Sequence, residues 1–81
     1  MGLDWKPRHR DIVIGNIPWL ARITDKARAK IEGTLGDYVY PWPADQKFLE
    51  ELKVKEGKFT EIVQDNPSDE DMIAAIRSLR D

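Results

Sequence analysis

Apolar residues recur at helical spacing in four stretches of the chain, separated by proline, glycine and small polar residues. In the first stretch, Ile17, Trp19, Leu20, Ile23, Ala27 and Ile31 fall on one side, which predicts a helix over Pro18 to Glu32. Asn16 or Ile17 stands near its cap, Pro18 sits in the first turn where a missing N–H costs nothing, and Gly33 stops it. A second helix is predicted from Asp45 to Lys53 with Phe48, Leu49 and Leu52 inward, and a third from Gly57 to Gln64 with Phe59, Ile62 and Val63 inward. Both are short and depend on tertiary packing. The fourth has the clearest ends. Ser68 is its N-cap, Asp69, Glu70 and Asp71 complement the helix dipole, Met72, Ile73, Ile76 and Leu79 face inward, and Arg77 and Arg80 close it.

Between Gly33 and Ala44, two glycines and two prolines forbid a long helix, so Tyr38, Val39 and Tyr40 read as an extended stretch lying across the helices. Residues 1–15 read as an arm that Trp5, Ile12, Val13 and Ile14 pin to a single helical domain spanning residues 16–81. The expected fold is therefore all-α, with four to five short helices around one core and an irregular aromatic and proline segment between the first two.

Composition narrows the function classes. A domain of 81 residues buries only about 60% of its unfolded surface, which leaves little room for a deep enclosed site. The chain has no cysteine, so disulfides, thiolate zinc sites and a thiol nucleophile are excluded, in keeping with a cytoplasmic location. No segment approaches the roughly 20 apolar residues of a membrane span, and Met1 to Asp11 is not followed by an apolar run of signal-peptide length. Net charge is −2, but residues 1–33 carry 7 Lys/Arg against 4 Asp/Glu while residues 34–81 carry 6 against 11. A dedicated nucleic-acid binder is usually basic throughout; a local basic stripe still attracts phosphate.

The string Asp25, Lys26, Ala27, Arg28, Ala29, Lys30, followed by Gly33, Thr34, Leu35, Gly36, Asp37, Tyr38, Tyr40, Pro43, Asp45, Phe48 and Leu49, resembles a family of small bacterial proteins classified as a domain of unknown function. Phe59, Val63, Ser68 and Asp69 extend the resemblance, which covers roughly residues 16–81. It implies one helical domain and brings no activity, substrate or cofactor. Where that family has a cysteine before Pro-Leu-Asp, this chain has Trp42 before Pro43, Ala44 and Asp45, so a thiol-dependent role does not carry over.

Two constellations suggest chemistry. Arg22, Lys26 and Lys30 stand at i, i+4 and i+8 along one edge of the first helix, and like charges at that spacing cost about 0.2–0.5 kcal/mol per pair. The repulsion is offset either internally, by the Asp69, Glu70 and Asp71 turn or by solvent, or by an external anion. Tyr38, Tyr40 and Trp42 follow at spacing two, which on an extended strand turns all three rings to one face. Such a face is either a stacking platform, where a base contributes about 1–3 kcal/mol, or aromatic surface recruited into a small core.

The remaining motifs are incomplete. Gly33, Thr34, Leu35 and Gly36 form a helix stop and turn rather than a phosphate loop, because the following prolines prevent the helix such a loop needs. The acidic run from Asp65 to Asp71 lacks the glycine and terminal glutamate of a calcium loop. His9 has no second histidine to complete a zinc set. Asp25, Asp37, Asp45 and Tyr38 are the only candidates for acid–base work, and no cofactor is implied. The sequence thus points to a non-enzymatic binding or protein-interaction module using Arg22, Lys26, Lys30, Tyr38, Tyr40 and Trp42, with an acidic protein surface or phosphate-bearing ligand as partner. The alternative is weak binding of single-stranded nucleic acid or a nucleotide by the same residues.

Overall fold

The computed structural model describes residues 6–36 and 38–80; Trp5 and Asp37 lie outside the described residues. Four helices follow in order: α1 (Leu20–Glu32), α2 (Pro43–Leu52), α3 (Glu56–Asp65) and α4 (Asp69–Arg80). No strand occurs among the described residues, and the all-α expectation is met with four helices. An isolated antiparallel bridge pairs Ile14 with Ile17.

The helix ends follow local chemistry. Thr34 N–H donates to the Ala29 carbonyl at 2.8 Å and Gly33 N–H to Lys30 at 3.2 Å, which is the Schellman closure that a glycine at φ 77° permits. At the end of α2 the same pair of bonds forms from Val54 to Leu49 and from Lys53 to Glu50, with Lys53 taking the left-handed position at φ 59°. Ser68 accepts from the Asp71 N–H at 3.1 Å, as an N-cap should.

The start of α1 departs from expectation by two residues. Gly15 and Asn16 both have positive φ and carry the chain through a tight turn that Ile17 N–H closes on the Ile14 carbonyl at 2.9 Å. Trp19 is itself left-handed at φ 73°, so Pro18 stays outside the helix and α1 begins at Leu20.

The core is built from Leu20, Ile23 and Ala27 of α1, Leu49 of α2, Phe59 and Val63 of α3, and Met72 and Ile76 of α4, joined by Ile17 and Tyr40. Phe48 meets the edge of Phe59 at 6.5 Å and 87°, one of the favoured aromatic pairings. Ile31 and Leu79, expected inward, are exposed because each lies near the end of its helix. No helix among the described residues is long and apolar enough to cross a membrane.

Candidate binding trough

The three cations of the α1 row meet different fates. Lys26 is 3% exposed and donates to Asp45 Oδ2 at 3.1 Å. Lys30, on the surface, lies 3.7 Å from Glu56 Oε2 and 5.6 Å from the centre of the Tyr40 ring. Arg22 donates to the Arg8 carbonyl at 3.1 Å and has no carboxylate partner among the described residues. The repulsion along the row is therefore relieved by Asp45 and Glu56. The Asp69 turn does not serve it: Asp69 accepts from Arg8 and Arg28 instead.

Asp45 organises the centre of this region. It is fully buried, and its Oδ1 accepts from Trp19 Nε1 at 2.7 Å while Oδ2 accepts from Lys26 and from the Trp42 N–H at 2.9 Å. The last bond is half of a capping box, with the residue at the third helical position reaching back to the N-cap. An indole is a donor only, so no return bond forms. The left-handed backbone of Trp19, a conformation that costs on the order of 1–3 kcal/mol, accompanies its charge-assisted bond to this carboxylate.

The aromatic segment does not form a single platform. Tyr40 turns into the core, where its O–H donates to Thr60 Oγ1 at 2.9 Å, the Thr60 hydroxyl being engaged with the Glu56 carbonyl at 2.9 Å. The Tyr40–Pro41 peptide bond is cis. Trp42 remains 53% exposed and Val39 54% exposed, while Tyr38 is half-buried. Burial pushes the Tyr40 phenol up to about 12, and Glu56 and Asp45 add to the rise. A phenol raised in the folded state favours folding only while it stays neutral, so stability is unaffected below the ordinary value of about 10 and falls as pH rises from there to about 12. Ultraviolet titration should show a tyrosine ionising near pH 12, and the absence of that step would contradict this placement.

The arm supplies a wall that the sequence reading did not anticipate. Arg8 binds Asp25 through Nε and Nη2, both at 2.9 Å, and Asp69 through Nη1 at 2.7 Å and Nη2 at 3.0 Å. Its hydrogen bonds hold the Asp69 carboxyl below the ordinary range, and those same bonds raise the guanidinium. The clamp sets the next two residues, His9 and Arg10, opposite Arg22. A hollow of about 250 Å³ is lined by His9, Arg10, Trp19, Arg22 and Trp42. A second, of about 210 Å³, is lined by Arg22, Lys26, Tyr38, Val39 and Trp42. The two hollows adjoin at Arg22 and Trp42, which line both, and are together called the trough; no carboxylate is among their described lining residues. Lys26 Nζ sits 5.9 Å from the Trp42 ring centre.

Of the six residues the sequence singled out, Arg22, Lys26, Tyr38 and Trp42 come together, whereas Lys30 and Tyr40 turn aside to Glu56 and Thr60. Asp25 and Asp45, the described carboxylate candidates for acid–base work, are engaged by Arg8 and by the three donors above. A larger groove of about 500 Å³, lined by Ile17, Pro18, Trp19, Ala44, Phe48 and Leu52, also carries Lys47 and Glu51, so its charges are of both signs. No cluster of three or more potential metal ligands occurs among the described residues.

Fold and site together define a small four-helix domain with a cationic and aromatic trough on α1 and the segment preceding α2. A model of the domain of unknown function DUF5069 matches residues 5–80, and the chain belongs to that family. No curated protein matches it.

Proposed function

We propose that this domain is a non-enzymatic binding module that receives an anionic partner in the trough formed by Arg10, Arg22, Lys26, Tyr38 and Trp42. The observation that carries this reading is Arg22, a guanidinium without a carboxylate partner among the described residues, shared by two hollows whose described lining contains no acid. Lys26 adds a second positive group at the wall. Its ammonium is buried against Asp45, so it lines the hollow without being an open donor. Arg10 adds a third cation from the arm.

Trp42 gives the reading its second support. Its backbone is anchored by the bond of its N–H to buried Asp45, and the residue, 53% exposed, presents apolar aromatic surface beside Arg22 for a partner to cover. Aromatic and arginine side chains together are the residues that most often dominate binding energy at interfaces.

Calorimetric titration with pyrophosphate and with a hexaglutamate peptide tests the proposal. At least one of these anions should bind the wild-type domain at low salt, and Arg22→Glu should weaken that binding at least tenfold while far-ultraviolet circular dichroism stays unchanged. Unchanged affinity in Arg22→Glu, or no binding of either anion, would remove the trough as the working face.

A further inference from the structure

Resting on that reading, we infer that the anion is a phosphate carried beside a nucleobase: a nucleotide, free or at the end of a single strand, with its phosphate at Arg22 and its base against the Trp42 indole. An anion alone would be satisfied by Arg10 and Arg22. It would leave unused the adjoining apolar surface of Trp42 and Val39, each more than half exposed. A ligand that joins a charged group to a flat π surface covers both, and base stacking on an aromatic side chain is tolerant of sequence. The guanidinium fork of Arg22 suits phosphate, since planar paired donors match its oxygens.

The charge distribution also limits the ligand's length. Among the described residues, Arg10 and Arg22 are the trough's cations without a carboxylate partner, and the chain as a whole carries net charge −2. The neighbouring cations are already paired, Lys30 with Glu56 and Arg8 and Arg28 with Asp69, so a long polyanion finds no continuous track of unpaired cations beyond the trough among the described residues. About two phosphates are neutralised, and for single strands the logarithm of affinity should then fall with the logarithm of salt at a slope of about −1.4. A strand-coating protein with many phosphate contacts would show a far steeper dependence.

The test compares inorganic phosphate, adenosine monophosphate, a dinucleotide, a single-stranded hexanucleotide and hexaglutamate by calorimetry on the full chain. Adenosine monophosphate should bind about tenfold or more tightly than inorganic phosphate, and Trp42→Ala should remove that advantage, bringing the two affinities together. Trp42→Phe should retain part of it, which separates lost stacking from a disturbed fold. A gain from monophosphate to dinucleotide with none beyond identifies the end of a strand as the natural source; no gain at all identifies a free nucleotide. Equal affinities for phosphate and the monophosphate, or an unaffected Trp42→Ala, would overturn the inference and leave the anion-binding reading standing. Binding of hexaglutamate alone would overturn it in favour of an acidic protein partner, and silence of every probe would remove both readings.

Discussion

Replacing Asp45 with alanine lowers the unfolding free energy by about 3–5 kcal/mol, the scale expected when one partner of a buried ion pair is deleted and the other is left charged without a counterion. Three donors lose their acceptor at once: Lys26 Nζ, Trp19 Nε1 and the Trp42 N–H. Lys26 is 3% exposed and cannot recover its hydration without opening the helix packing around it. Since small domains have total stabilities of about 5–15 kcal/mol, the substitution brings this one close to unfolding at room temperature. Lys26→Met should cost less, because Asp45 keeps two of its three donors and the thioether chain fills much of the vacated volume. Urea denaturation of the three proteins measures both losses. A loss below about 1 kcal/mol for Asp45→Ala would show that the carboxylate is not the organising group of this region.

Gly15→Ala carries the second large effect. The residue has φ +57°, where a side chain costs about 1–2 kcal/mol. A Cβ at this position would stand 2.5 Å from Ile73 Cγ2 and 2.8 Å from Ile73 Cγ1, atoms on the stiff, branched part of the side chain. Overpacking of that kind typically adds about 1–3 kcal/mol, so the total loss is about 2–5 kcal/mol. The two contributions can be separated. Ile73→Ala in the same background should restore the steric part and leave the backbone part, giving a coupling energy in a double-mutant cycle. Additive effects of the two substitutions would contradict the contact.

What the sequence disclosed was what its neighbours in the chain decide. Gly33 ends α1, Ser68 caps α4 and the proline-rich stretch separates α1 from α2, because each is a choice made within a few residues. The start of α1 was read two residues early because Gly15, Asn16 and Trp19 hold positive φ in a tertiary setting, with the Trp19 indole fixed by a carboxylate in another helix. The row of Arg22, Lys26 and Lys30 was visible as a pattern, yet its division into buried, paired and available cations was not. That division depends on Asp45 and Glu56, which the fold brings to α1 from α2 and α3. Asp45 read as the beginning of a helix and as a candidate for acid–base work, not as the acceptor of a buried cluster. Its place three residues after Trp42 was a signal for the capping bond, and nothing local signalled Lys26 or Trp19. His9 and Arg10 were legible only as part of the arm. Their position across from Arg22 rests on Arg8 reaching Asp25 and Asp69 across 17 and 61 residues of chain.

The site that results joins a buried polar cluster to an exposed binding surface. The Asp45 cluster fixes Trp42, and the Arg8 clamp fixes the arm, so the trough is shaped before a ligand arrives. Stability and binding are separable in consequence: Asp45 substitutions act first on the fold, and Arg22 substitutions on the ligand.

The most direct measurement is a two-dimensional amide and side-chain NMR titration of isotope-labelled protein with adenosine monophosphate at low salt, including the arginine Nε and tryptophan indole signals. Perturbations confined to His9, Arg10, Arg22, Tyr38, Val39 and Trp42, fading as salt is raised, are the predicted result. Perturbations centred instead on the Phe48 and Leu52 groove, or scattered over the surface without saturation, would contradict the assignment of the trough as the binding face.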